Sequence, residues 1–304
     1  MTKDDEIELV PELKQGHYSD GHPLDEVHYL ECKIILKPDR FTSKQGFFDF
    51  ARIVKHAAEK AEIDLSTSHL EGQRPQIREV VFLDTADFRL YNHAFILRRR
   101  VLYEDGFPVG DPEIVFKFRH PDMQKAADLD VRPHIPGLYK IKFKAEALPP
   151  KDKVGGIRIL YSHNAEFGLS QMKLADRTGM STLMRFFPCI APLKRSRDDQ
   201  VELVNQTIVE EVLFDLGKVD FGKGVVAKND LSLWRVRGDH ASLVGEYAFQ
   251  AKFDRKDDLH PKVQRRVEEF FLAVQNLARD WVSVGATKTG IVYRLKGNPP
   301  QAHE

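Results

Sequence analysis

The sequence predicts an α+β protein: an antiparallel β-barrel closed into a tunnel, with a polar lumen and amphipathic helices packed outside. Three observations carry that reading. Repeated extended segments place charged residues on one face and apolar residues on the other, with a period of two. Two segments with helical spacing, 47–58 and 263–281, need an apolar surface to cover, and the apolar side of those strands is the one available. Between residues 95 and 145 the acids Glu104, Asp105, Asp111, Asp122, Asp128 and Asp130 fall in connections, whereas Lys and Arg concentrate in strands. If helices claim the apolar face, the charged face turns inward, and closing the sheet removes its edges.

The elements follow in order. Residues 1–24 are polar, acidic and broken by Pro11, Gly16, Gly21 and Pro23, which predicts a loosely held arm. A single domain is expected over 25–297 and a tail over 298–304. Val27 to Lys37 is the first strand, with Tyr29, Glu31, Lys33 and Ile35 on one side and Leu30, Cys32, Ile34 and Leu36 on the other. Thr42 and Gln45 resemble a capping box ahead of a helix of roughly four turns. Val80 to Leu83 is a strand, Asp84 caps a short turn with Asp87, and Phe95 to Tyr103 resumes the extended pattern. Further strands are expected at 113–119, 138–147, 157–161, 193–197, 207–215, 231–237 and 242–253, with a broken helix over 171–187. Pro261 opens a long amphipathic helix, and Lys288 lies in a closing strand.

Whole-chain numbers exclude several functions. Lys plus Arg and Asp plus Glu balance at 46 each over 304 residues, so no net field recruits nucleic acid or an anionic membrane. The two cysteines, Cys32 and Cys189, exclude a disulfide framework and a cysteine-rich zinc site, and Cys32 is expected to be buried and inert. The 12 histidines show no ligand spacing. Neither a signal-peptide pattern nor a membrane-length apolar run is present, so a cytoplasmic protein without membrane or nucleic-acid partners is expected; oligomeric state stays open.

The candidate site starts at Leu97-Arg98-Arg99-Arg100. In a strand Arg98 and Arg100 share a face about 7 Å apart, and paired guanidinium forks match phosphate oxygens. Alternation adds Arg119, Lys142, Lys144, Arg235 and Arg237 to the inward bases. Burying so many bases is prohibitive unless water, carboxylates and an anionic ligand share the space, so the architecture asks for a polyanion.

Several motifs, in order, resemble the CYTH superfamily of triphosphate tunnel metalloenzymes. Tyr29-Leu30-Glu31-Cys32-Lys33 is similar to the family's Glu-x-Glu-x-Lys, and Phe82-Leu83-Asp84-Thr85-Ala86-Asp87-Phe88-Arg89-Leu90 to its Tyr-x-Asp-Thr-x-Asp-x-x-Leu. Leu97 to Arg100 resembles Leu-Arg-x-Arg, Lys117 the next basic residue, and Thr287 to Tyr293 the closing Ser-Lys-x-x-Tyr with longer spacing. The resemblance covers roughly 27–297. It implies that Lys33, Arg98, Arg100, Lys117 and Lys288 hold phosphates and that Glu31, with Glu246 from a late strand, holds Mg²⁺ or Mn²⁺; Glu31 and Lys33 would be the catalytic pair. The implied activity is metal-dependent processing of a triphosphate-containing small molecule or inorganic polyphosphate, most simply hydrolysis. Two departures bear on this. Tyr29 replaces the first motif Glu, and Ala248 and Gln250 stand where a second late-strand acid is common, leaving Glu146, Glu210 or Glu211 as replacements. A non-catalytic tunnel that binds a phosphorylated molecule is the alternative, with a class IV adenylate cyclase behind both.

Overall fold

The computed structural model describes residues 8–66, 71–172 and 174–297. Twelve strands run in chain order: β1 (Tyr29–Leu36), β2 (Asp64–Ser66), β3 (Gln76–Asp84), β4 (Phe95–Glu104), β5 (Phe107–His120), β6 (Lys140–Leu148), β7 (Arg158–Gly168), β8 (Arg177–Gly179), β9 (Gln200–Leu203), β10 (Val209–Asp220), β11 (Val226–Val236) and β12 (Ser242–Lys252). The helices are α1 (Lys44–Lys60), α2 (Arg89–Asn92), α3 (Met123–Asp128), α4 (Met180–Phe186), α5 (Pro261–Leu277) and α6 (Lys288–Tyr293).

Nine strands close a barrel in the order β10, β11, β12, β1, β6, β7, β5, β4, β3 and back to β10, while β2, β8 and β9 extend it at the margins. The expectation of a closed barrel holds, but it is not wholly antiparallel. A ring with an odd number of strands cannot alternate direction all the way round, and the parallel contact falls between β1 and β6.

Ser43, rather than Thr42, caps α1, its hydroxyl accepting from the Gln45 N–H at 3.3 Å. Phe47, Phe50 and Val54 of α1 and Val267, Phe270 and Val274 of α5 pack into one core with Leu30, Cys32, Ile34 and Phe249 on the outer face of β1 and β12. Cys32 is buried as expected, and burial pushes its thiol well up. A second core covers the opposite wall, where Leu97, Phe116 and Phe167 meet Met180, Leu183 and Phe187 around α4. The apolar outside of the sheet is therefore covered by helices, which is what turns its polar face inward. Among the described residues no helix is long and apolar enough to cross a membrane.

Four local expectations change. The arm is packed where it is described: Leu9 and Val10 join the main core, and Tyr18 donates to Ala127 O at 2.9 Å and to Asp25 at 3.1 Å. Residues 1–7 and the tail 298–304 lie outside the described residues. Leu193 to Arg197 is the end of a 3₁₀ turn and a loop instead of a strand, its Arg195 and Ser196 N–H groups donating to the Asp199 carboxylate at 2.7 and 2.9 Å rather than to a ladder. Gln171 to Phe187 contributes a 3₁₀ turn, β8 and only the short α4. Lys288 opens helix α6, capped by Thr287, whose hydroxyl accepts the Gly290 N–H at 3.0 Å.

One turn sets the course of β4. The buried Asp84 carboxylate accepts from the N–H groups of Thr85, Leu90 and Tyr91 at 2.7, 2.8 and 2.9 Å and from the Tyr293 hydroxyl at 3.1 Å. Phe88 takes a left-handed φ of 56° within it. Asp87 accepts from Thr85 Oγ1 at 2.8 Å and Arg89 Nε at 2.9 Å. Both aspartates are structural, and the chain leaving them enters β4 with Ile96, Arg98 and Arg100 facing the lumen.

Candidate functional site

The lumen holds two adjoining compartments of about 130 and 230 Å³ that share Glu31, Lys33, Arg98, Arg100, Lys117, Glu246 and Lys288. The strand directions give it an axis. Arg78, Arg100, Glu113, Lys142, Glu166 and Asp230 stand toward one end, and Ile35, Phe82, Ile96, Leu148 and Trp234 toward the other. At that second end an apolar layer of Ile35, Phe82, Ile96 and Trp234 packs with Val292 and Tyr293 of α6.

Around the walls nine cationic side chains (Lys33, Arg78, Arg98, Arg100, Lys117, Arg119, Lys142, Lys144 and Lys288) face seven carboxylates (Glu31, Glu113, Glu146, Glu166, Glu211, Asp230 and Glu246), a formal surplus of two positive charges. The bases are held very unequally. Glu146, wholly buried, takes Lys117 Nζ at 2.8 Å, Lys33 Nζ at 3.1 Å, Arg119 Nε at 3.2 Å and the Ser162 hydroxyl at 2.7 Å. Glu31 takes Lys33 at 3.0 Å and Lys144 at 3.3 Å, and Lys144 also donates to Gln250 at 2.6 Å. By contrast, Arg98 and Arg100 each stand 3.6 Å from Glu113, and Arg100 3.7 Å from Glu211. Their Nε groups are buried without a hydrogen-bond acceptor.

Electrostatics follow from this crowding. Burial raises the Glu31 carboxyl, but Lys144 and Lys33 outweigh it and hold it at about 2. Glu146 lies well below the usual carboxylate range because Arg119, Lys117 and Lys33 together overcome its burial. Its partner Lys117 moves as if the pair were unfavourable: burial, with Arg119 and Lys33 alongside, pushes it down to about 7 despite Glu146. The two shifts agree once the cluster is counted as a whole. Three cations share one carboxylate, so the carboxylate stays ionised and the surplus is relieved at the cation easiest to deprotonate. Asp230 is pushed up to about 6 by burial and by nearby Asp215.

A second knot lies across the lumen. Glu211 takes the Trp234 indole N–H at 2.8 Å, Lys288 at 3.3 Å and Arg78 at 3.4 Å. Lys288 Nζ reaches Glu246 at 2.7 Å and Ser232 at 3.3 Å, over the Trp234 ring.

Most expected site residues come together: Glu31, Lys33, Arg98, Arg100, Lys117, Arg119, Lys142, Lys144, Glu246 and Lys288 all line the lumen. Arg235 and Arg237 do not. They pair on the outer surface with Glu210 and Glu79, because Asp230, Ser232 and Trp234 take the inward positions of β11. The alternation Asp230-Leu231-Ser232-Leu233 carried that signal, which the more conspicuous arginines masked. Asp230 was missed with Ser232, Glu113 lies in register with Lys117 and Arg119 on the charged face of its strand, and Arg78 and Glu166 lie in segments whose alternation marks no inward face.

The implied metal pair is not assembled either. Glu246 lies opposite Ile35 while Glu31 lies opposite Gln250, four residues along β1, which is about 13 Å of strand. Each carboxylate is also closed by a lysine, Glu31 by Lys33 and Glu246 by Lys288. Among the described residues no three His, Cys, Asp or Glu side chains are grouped to hold a metal ion. Tyr29 lies opposite Lys144, with the lysine Nζ 5.8 Å from its ring. Of the replacement acids, Glu146 lies opposite Glu31 and shares Lys33 with it, and Glu211 shares Lys288 with Glu246; Glu210 pairs with Arg235. As arranged, the donor set does not fit a resident divalent cation.

This is a closed barrel whose polar face is its lumen, the fold implied by the resemblance to triphosphate tunnel proteins. No family model matches the chain, and no curated protein does. Solved structures similar to it include a protein of Hippeastrum assigned as an adenylyl cyclase and described as having a dominant triphosphatase activity, 13% identical over 88% of this chain and 95% of that one, with a TM-score of 0.42. A protein of Bacillus halodurans assigned as an adenylate cyclase is 12% identical over 81% and 90%, with a TM-score of 0.36. Another of that assignment, from Vibrio parahaemolyticus, is 11% identical over 88% and 99%, also at 0.36. At scores this low the likenesses carry nothing further, and the reading of the lumen rests on its own residues.

Proposed function

We propose that this protein binds the phosphate chain of a triphosphate-containing molecule or inorganic polyphosphate in its lumen and hydrolyses it there. The observation that supports this best is the Arg98–Arg100 pair: two guanidinium groups in a confined space, 3.6–3.7 Å from their carboxylates, with both Nε groups lacking acceptors. A buried donor without a partner costs about 1–3 kcal/mol, and a bridging phosphate chain relieves that cost at both arginines. In hydrolysis these cations, with Lys33, take up negative charge developing on the phosphate oxygens. Lys117, close to half-protonated near pH 7, holds a proton it can give or receive at Nζ. Binding without turnover is the second reading, favoured by the closure of Glu31 and Glu246 with lysines.

Phosphate release from tripolyphosphate, ATP and thiamine triphosphate, with and without Mg²⁺ or Mn²⁺, separates the two readings, and calorimetry tests the binding they share. The wild type is expected to bind tripolyphosphate, and Arg98→Ala with Arg100→Ala to weaken it about hundredfold or more, two charge-assisted contacts being worth about 3 kcal/mol or more. Unchanged affinity in the double variant sinks the lumen site. Tight binding with no phosphate release under any condition sinks the hydrolase and leaves the binding tunnel.

A further inference from the structure

The molecule offers several features outside the proposed reaction: the outer-surface pocket beside Tyr103 and Arg237, the buried Tyr18–Asp25–His163 network, and the fully buried Glu146. The first is an open groove of mixed charge, and the second straps the arm to β7. Glu146 carries an inference.

We propose that Glu146 is a built-in gauge of phosphate-chain length: a carboxylate of the barrel wall that fills the place of one phosphate group, so that the lumen takes a triphosphate in preference to a chain one phosphate longer. This rests on the reading of the lumen as an oligophosphate site. Four donors converge on Glu146, those of Lys117, Lys33, Arg119 and Ser162, all within 3.2 Å. Three of them, from Lys117, Lys33 and Ser162, meet on Oε1, and Arg119 Nε stands 3.2 Å from Oε2, so cations a phosphate group would attract are already engaged by the protein. The carboxylate cannot readily step aside, because β6 is paired on both sides at this position, with Glu31 of β1 and Leu160 of β7. Deeper in, the remaining space of the smaller compartment is walled by Leu148, one inward step beyond Glu146, with Ile35, Phe82, Ile96 and Trp234, whose apolar surfaces offer a phosphate no donors. A chain entering past Arg100 and Arg98 thus meets a negative charge backed by an apolar wall. Like charges repel strongly where water is scarce, so each phosphate up to Glu146 adds cationic contacts and the next one does not.

The test is a calorimetric titration of the full chain, with chelator present, against pyrophosphate, tripolyphosphate and tetrapolyphosphate, using wild type, Glu146→Asp and Glu146→Gln. Glu146→Asp withdraws the carboxylate by one methylene and keeps its charge, which guards against misfolding and against a general electrostatic effect. Wild type is expected to gain affinity from two phosphates to three and none from three to four. In both variants the affinity ratio of tetrapolyphosphate to tripolyphosphate is expected to rise about tenfold. An equal gain for all three chains in Glu146→Gln with an unchanged ratio in Glu146→Asp overturns the gauge, since removal of a charge then explains everything. A wild type that binds none of the three overturns the oligophosphate reading itself, a result distinct from failure of the gauge. A second series with Mn²⁺ and no chelator overturns the gauge if Mn²⁺ strengthens wild-type binding and Glu146→Gln abolishes that gain, because Glu146 is then a ligand on the metal side.

Discussion

The inner and outer parts of the lumen use the same residue types to opposite effect. Around Glu146, three cations and a hydroxyl close within 3.2 Å on a carboxylate with no exposure, so the anion is supplied by the protein. Around Arg98 and Arg100 the nearest carboxylates stand off at 3.6–3.7 Å, and guanidinium donors are left over. The first arrangement holds the barrel wall together and the second is available for a ligand. Positive charge in a tunnel is therefore not by itself a binding site; what matters is which cations the protein has already neutralised.

Breaking the inner knot should show the largest effect. Glu146→Ala leaves Lys33, Lys117 and Arg119 without their shared carboxylate and is expected to cost about 3–5 kcal/mol of stability. Glu113→Ala, which removes only the two distant contacts to Arg98 and Arg100, is expected to cost under about 1 kcal/mol. Denaturant midpoints of the two variants, at unchanged slope, check the contrast; equal losses would erase the distinction between the regions.

The pH dependence sharpens it next. Lys117 is depressed to about 7 in the folded protein, by burial first and then by Arg119 and Lys33, so it is charged below that pH and neutral above it. A bound phosphate chain favours the charged form, so affinity is expected to fall by up to about tenfold per pH unit above 7, worth about 1.4 kcal/mol per unit, as the complex takes up a proton. The same depression means that the unfolded chain binds more protons than the folded one between about 7 and the ordinary lysine value near 10.4, so this group's contribution to stability rises with pH across that window. Calorimetry at pH 8 in buffers of different ionisation heat reads the proton uptake directly, and Lys117→Met is expected to flatten the slope. A slope that persists in that variant assigns the linkage to another group.

The smallest effect belongs to Arg235 and Arg237. Their pairs with Glu210 and Glu79 lie on the outer surface, where such contacts contribute about 0–1 kcal/mol. Their replacement by alanine is expected to leave tripolyphosphate affinity within about twofold. A large loss on titration would place them in the site after all.

Much of this organisation was legible in the sequence. The charged and apolar faces of 27–37, 95–103, 113–119 and 138–147, with helices needing an apolar surface, required a polar lumen, because period-two alternation leaves no other way to cover both faces. Arg98, Arg100, Lys117 and Lys144 followed from it, and Asp84 was recognisable as a cap because its neighbours resume an extended pattern so soon. What the tertiary structure alone decided is pairing across strands. The odd ring made β1 and β6 parallel neighbours, which set Glu146 beside Glu31 although 115 positions separate them in the chain. It put Glu31 and Glu246 on different lysines. Alternation is a local property that each strand writes into its own sequence. Register and ring closure arise only when strands meet, and they decide whether a cation in the lumen is already neutralised or is left for a ligand.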